Sequence, residues 1–419
     1  MPYSTDPPGS SFRIAVRTFG PFETALRREW QQFQRSSGCR LELDLVSLDH
    51  HPLYETLFEH DGLRSGQYDV ALINTDWLAE AHQRAALADL TPRIAEGPPD
   101  DFPAGWAPSL LRLQQFGSQL LGLPYHDGPE CLIYRRDLFD DAQHRRAFAA
   151  RHGCELTVPQ TWDEFARVAR FFHQPAKRLF GTVFAAYPDG HNTVYDICLQ
   201  LWSRGGEWFD DQRRLNLNSP QMIDALTFYR QTLNDATMVH PESRTFDSVA
   251  SGAAFARGEV AMMINWFGFA AVCDTEADSA LRGCVQLAPI PCAPGGSPVS
   301  LNCYWMLSVA AGSRHAELAY GFVRHCMSAQ SDRQRTLDGV IGCRKSTWTD
   351  ADVNATIPYY HRLEALHEHA RELPRHPRWV DASRIIDCMV LAAINTERPV
   401  AEIVAETQTQ VSGLAIAMD

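Results

Sequence analysis

The sequence predicts an α/β fold in two lobes, with doubly wound sheets flanked by helices. Three observations carry this. Segments of strand and helix periodicity alternate from Phe12 onward, which favours mainly parallel sheets. At 419 residues the chain exceeds what one hydrophobic core usually serves. Breaks at Pro124-Tyr125 and from Pro289 to Pro298 interrupt the alternation.

The elements follow in order. Phe12 to Thr18 reads as a strand, and Pro21 to Arg35 as an amphipathic helix with Phe22, Leu26, Trp30 and Phe33 at helical spacing. Pro21 fits a first helical turn, where no N–H is needed. Arg40 to Leu48 alternates Leu41, Leu43 and Leu45 with Glu42 and Asp44, as a strand does. A helix over His51 to Leu63 and a strand over Tyr68 to Asn74 follow, then a helix over Gly105 to Phe116 and a strand over Gln119 to Leu123. From Cys131 to about Gly283 helices dominate. Thr161 and Glu164 form a capping box, and Ser219-Pro220 starts another helix. Strands are expected over Phe180 to Ala186, Ala261 to Asn265, Val285 to Ile290 and Tyr304 to Ala310. Helices are expected over His315 to Leu337, Pro358 to Glu372 and Ser383 to Gln410.

Composition removes several functions. A net charge of −13 and a pI near 5.6 argue against a nucleic-acid partner, which needs clustered Lys and Arg. No run approaches the roughly 20 apolar residues of a membrane span. Met1 to Ser11 shows neither a basic nor an apolar export region, and its Pro, Gly and Ser predict a flexible lead-in over residues 1–11. Eleven cysteines cannot all pair within the chain. Cys131, Cys198, Cys303, Cys326 and Cys388 lie in apolar runs and read as small buried hydrophobes, a pattern suited to a reducing compartment.

In open parallel sheets ligands bind beyond the carboxyl ends of strands. Those tips read Thr18-Phe19-Gly20, Asp49-His50-His51, Asn74-Thr75-Asp76-Trp77, Tyr187-Pro188-Asp189-Gly190-His191-Asn192 and Asn265-Trp266-Phe267. Asp76 beside Trp77, Asn265 beside Trp266, and Asp127 after Tyr125 put hydrogen-bonding groups next to aromatic rings. Paired hydroxyls suit the first kind of group and the C–H face of a sugar ring suits the second. Other readings stay open. Trp77 and Trp266 also suit a core, Asp127 and Asp189 also suit turns, and Arg344 also suits an internal ion pair.

Metal and catalytic chemistry find less support. Of sixteen histidines, His50-His51 are adjacent, and His367 and His369 stand about 200° apart on a helix. Neither matches HExxH, and no GxSxG elbow or phosphate loop occurs. No metal, cofactor or catalytic residue is expected.

One ordered set of segments resembles a family. Tyr68 to Trp77, Gly122 to Tyr125 with Cys131 to Phe139, Pro159 to Phe165, and Phe255 to Trp266 are similar in order and spacing to the extracellular solute-binding proteins of carbohydrate ABC importers, the maltose-binding-protein-like group. The resemblance extends to Leu199 to Trp208 with its Gly205-Gly206 pair, and to Gly339 to Arg344, where Cys343 replaces a more usual proline. It implies a type II periplasmic-binding-protein-like fold with a hinge and a carbohydrate held in an interlobe cleft without turnover. Residues 12–124 with about 290–340 would form the N-terminal lobe, and 125–289 with about 341–419 the helix-rich C-terminal lobe. The implied ligand contacts are Phe19, His50, Asn74, Asp76, Trp77, Tyr125, Asp127, Asp189, His191, Gly205, Asn265, Trp266, Trp305, Arg344 and Trp379. The implied partners are ABC permease subunits, with the chain a periplasmic or extracellular monomer. A cytoplasmic sugar sensor, favoured by the cysteines, and a carbohydrate-processing enzyme are the alternatives on the same fold.

Overall fold

Nine strands build the two main sheets: β1 (Ser11–Arg17), β2 (Glu42–Leu48), β3 (Val70–Asn74), β4 (Leu123–His126), β5 (Glu130–Arg135), β6 (Phe180–Val183), β7 (Val260–Trp266), β8 (Val285–Ala288) and β9 (Trp305–Val309). The computed structural model describes residues 11–276 and 279–417. The expected flexible lead-in lies outside these residues except for Ser11, which opens β1. The chain divides into two units, Met1–Asp127 with Cys303–His361 and Gly128–Asn302 with Arg362–Asp419.

In the first unit the sheet order is β2-β1-β3-β9-β4. β1 is parallel to β2 and β3, and β9 runs antiparallel to β3 and β4. All five residues of β3 are buried, as expected for a strand covered on both faces. The helix Gly20–Ser37 follows β1 with Pro21 in its first turn, and Gly38 closes it at φ +74°, a left-handed conformation that glycine adopts without strain. It buries Phe22, Leu26, Trp30 and Phe33, and Trp30 stacks on Phe12 of β1 at 4.5 Å.

In the second unit the order is β8-β5-β7-β6, with β6 parallel to β7 and β5 antiparallel to β7 and β8. Each sheet thus carries one reversed strand, β9 or β5. A parallel neighbour needs a crossover of a dozen or more residues. These two strands instead begin within three residues of the points where the chain enters their units. The capping box of the helix Trp162–Phe172 is present, and the Ser219 side chain caps Pro220–Leu233.

The unit boundaries differ from those read in the sequence. The second division falls at Asn302/Cys303 and the third at His361/Arg362, against about 290 and 340. Residues 341–361 stay with the first unit because polar contacts tie them there. Ile341 O accepts the Asp127 N–H at 2.9 Å, Ile341 N–H donates to His126 Nδ1 at 2.9 Å, and Gly342 N–H donates to Thr336 Oγ1 at 3.0 Å.

Three expected helices also change. His315 to Leu337 is two helices, Ala316–Cys326 and Ala329–Leu337, because Ser328 caps the second. Pro358 to Glu372 holds a 3-10 turn, a helix over Leu363–Glu368 and a two-residue strand, Ala370–Arg371. Ser383 to Gln410 becomes Trp379–Asn395 and Val400–Ser412 around Pro399, whose ring biases the residue before it away from helix. Of the cysteines read as buried, Cys131, Cys198, Cys303 and Cys326 are buried but Cys388 is exposed. It sits on the outer face of a helix whose other face carries Ile386, Met389 and Val390.

Candidate functional site

The register of the first sheet brings a set of aromatic and polar groups to one edge. β1, β2 and β3 end there, and Trp305, first residue of the reversed strand β9, pairs with Asn74 on one side and His126 on the other. Trp305 is partly exposed and packs edge-on against Trp77 at 5.7 Å, His50 at 5.9 Å and Phe22 at 6.3 Å. Phe19, also partly exposed, lies 5.0 Å from Phe22 and 6.4 Å from His126. Asp76 is half-buried on the 3-10 turn Thr75–Trp77. The structure therefore groups Phe19, His50, Asp76, His126 and Trp305 on one surface.

His126 was not expected there. Its Nδ1 accepts the Ile341 N–H, which leaves the proton on Nε2. Burial, opposed by Asp127 and helped by Arg335, lowers its pKa to about 3, so it is neutral at physiological pH. A neutral imidazole with Nε2–H is a hydrogen-bond donor without charge.

Other expected contacts turn inward. Trp77 is 0% exposed and forms the floor beneath His50 and Trp305. Tyr125 is 0% exposed because alternation along β4 points it opposite to His126, where its hydroxyl donates to Glu29 Oε2 at 2.9 Å. Asn74 is buried, and its Oδ1 accepts from the Asp76 N–H and from Cys303 Sγ. Asp127 is buried near Cys343 and Tyr360, whose pKa values it helps to raise after burial itself. Arg344 is 1% exposed and is held internally. It bonds Asp101 Oδ2 at 2.9 Å, Asp100 O at 3.0 Å and Met327 O at 2.9 Å, and lies over the Trp106 ring. These residues have structural work within their unit, the alternative that the sequence left open for Trp77 and Arg344.

The second unit has a comparable edge where β6 and β7 end. Trp266 is partly exposed, with Tyr195 edge-on at 5.6 Å and His191 a further 5.8 Å from Tyr195. Asp189 supports this wall as a turn. Its Oδ1 accepts the N–H groups of His191 and Asn192, and its Oδ2 accepts Asn192 Nδ2 at 2.7 Å, which starts the helix Asn192–Trp202. Asn265 is buried, donating to Ser248 O and Ser251 Oγ and accepting the Trp266 N–H at 2.8 Å, so it aims Trp266 from beneath. Gly205 is exposed at φ +70° in the turn after that helix, a position that needs glycine's freedom. Trp379 is 1% exposed and packs on Trp208 at 5.5 Å as a core pair.

The sequence reading passed over Tyr195, Glu130 and Asp196. Glu130 heads the otherwise apolar run Cys131-Leu132-Ile133, and an acid leading a buried apolar run is a readable signal. Asp196 follows Tyr195 on a helix that is buried almost throughout. Among the described residues no group of three or more metal-ligating side chains occurs, and no helix is long and apolar enough to cross a membrane.

Comparison with known proteins adds to this geometry. Residues 61–332 match the sequence model of the bacterial extracellular solute-binding proteins. A probable ABC transporter-binding protein of Deinococcus radiodurans is 25% identical over 308 residues, 72% of this chain and 68% of that protein. The arabinooligosaccharide-binding protein of Bacillus subtilis is 24% identical over 269 residues, 62% of this chain and 55% of that one. Maltose-bound MalE3 of T. maritima superposes with a TM-score of 0.83 at 20% identity, covering 97% of this chain and 100% of that one. An ABC transporter solute-binding protein of Agrobacterium radiobacter K84 in complex with ribitol gives a TM-score of 0.85 at 23% identity, covering 97% and 99%. At these identities the solved structures share the fold.

Proposed function

We propose a function from one premise, that this chain belongs to the bacterial extracellular solute-binding protein family. It captures a sugar or sugar derivative for an ABC importer, outside the cytoplasm and as a monomer, and releases it chemically unchanged. The observation that carries this reading is the pair of surfaces at the carboxyl edges of the sheets. Each joins partly exposed rings, Phe19 and Trp305 or Trp266, to polar neighbours, His50, Asp76 and His126 or His191. Aromatic faces cover the C–H face of a sugar, and the polar groups take its hydroxyls. The ribitol complex, the maltose complex and the arabinooligosaccharide-binding relative support this ligand class.

The test is a thermal-shift screen against maltose, ribitol, D-mannitol, arabinooligosaccharides and a set of amino acids. A ligand at 100 times its Kd adds about 2.7 kcal/mol to the stability of a one-site protein. A shift with a sugar or polyol, lost in both Trp305→Ala and Trp266→Ala, is the expected result. A shift with amino acids alone would overturn the carbohydrate reading, and retention of sugar binding in both variants would overturn the choice of surfaces.

A further inference from the structure

Beside Trp266 stands an acid that the fold itself does not require. Glu130 pairs directly with Trp266 across the antiparallel ladder of β5 and β7, so the two side chains share one face of the sheet with Cβ atoms about 5 Å apart. Glu130 is 6% exposed, and its Oε2 has no hydrogen-bond partner among the described residues. A buried polar atom left in this state is costly, and such exceptions call for an explanation. Asp196, next along the helix from Tyr195, acts electrostatically on Glu130, and Tyr229 donates to its Oδ2 at 2.6 Å.

Tyr229 from the helix Pro220–Leu233 and Cys131 on β5 itself interact with the pair. Beyond them, Asp387 of Trp379–Asn395 acts on Tyr229, and His191 acts on Asp387. Burial pushes Asp196 up to about 7, and burial with the charge of Asp196 pushes Glu130 well above the usual carboxylate range. In its protonated form Glu130 can donate as well as accept.

We propose that Glu130 is a specificity-determining contact, bonding a hydroxyl of an uncharged sugar or polyol that lies against Trp266. This rests on the carbohydrate reading above and narrows it. A solute bearing a carboxylate or phosphate at this position meets two acids, which disfavour it. The orphaned oxygen is explained as one whose partner is the ligand.

The experiment compares wild type, Glu130→Leu and Glu130→Gln, measuring the melting temperature without ligand and the affinity for ribitol, D-mannitol, maltose and D-gluconate. In Glu130→Leu the unliganded protein melts no lower than wild type, since an unpaired buried polar group has gone, while affinity for the best neutral solute falls about tenfold or more. Glu130→Gln, which keeps a donor and an acceptor in place, recovers most of that affinity. Glu130→Leu that binds as wild type overturns the assignment while the carbohydrate reading stands. Tighter binding of D-gluconate than of D-mannitol by wild type overturns it too. If no solute in the set binds wild type, both readings fail, and the affinity table separates these cases.

Discussion

Removing Arg335 should strand two buried acids in the first unit. Arg335 is 0% exposed, with Nη1 3.0 Å from Glu29 Oε1, Nη2 2.6 Å from Asp332 Oδ1, and its guanidinium 4.5 Å above the Tyr125 ring. Both acids are themselves 0% exposed. Deleting one partner of a buried ion pair costs about 3–5 kcal/mol, because an uncompensated charge remains. The two acids differ in how they can respond. Burial already raises the pKa of Glu29, so it can take a proton once the cation has gone. Asp332 instead anchors the chain beyond it, since its oxygens accept the N–H groups of Cys343 and Arg344 and the Thr347 hydroxyl. The loss should fall mainly there and loosen the segment 341–361. A unit of 150–250 residues loses about 2–4 °C per kcal/mol, so Arg335→Met should lower its melting temperature by about 6–20 °C. Calorimetry reads this directly, and Glu29→Gln added to Arg335→Met should recover little. A shift below about 3 °C for the single variant, or full recovery in the double, would refute the argument.

Two further predictions concern the second unit. Asp196 has its folded pKa raised from 3.8 to about 7, so between these values the native state holds a proton that the unfolded chain has lost. Stability is fully present below pH 4 and declines as pH rises to 7, by up to about 4 kcal/mol for this group. Asp196→Asn should remove that decline, and denaturant unfolding of both proteins from pH 4 to 8 checks it. Gly181 lies on β6 where an added Cβ would meet Ala169 O of the helix Trp162–Phe172 at 1.9 Å. Gly181→Ala must push the helix off the sheet, and it should cost about 1–3 kcal/mol or more in thermal unfolding.

Much of the architecture was legible because it depends on local chemistry. The alternation of Leu41, Leu43 and Leu45, the helical spacing of Phe22, Leu26, Trp30 and Phe33, and the caps at Thr161 and Ser219 each act over a few residues. The strand tips were legible for the same reason, since Phe19, His50, Asp76 and Trp266 stand where a polar or aromatic residue ends an apolar run. Long-range contacts were less so. The helix read over Pro358 to Glu372 missed the pairing of Ala370–Arg371 with Ser300–Leu301. That pairing joins segments seventy residues apart, beyond any local signal.

The sequence by itself determined that this chain alternates strands and helices, that its ligand-facing candidates end strands, and that its order of segments resembles one family of solute carriers. Only the tertiary structure decided which of two neighbouring side chains faces outward. Tyr125 and His126 have the same claim in the sequence, as do Trp77 and Trp305, yet Tyr125 is fixed inward by Glu29 and Trp77 by the rings packed edge-on against it. Strand alternation says that neighbours point to opposite faces. It does not say which face is covered, because that depends on the helix and the reversed strand packed against it. The same holds for Glu130, whose meaning comes from standing opposite Trp266, a residue 136 positions later in the chain.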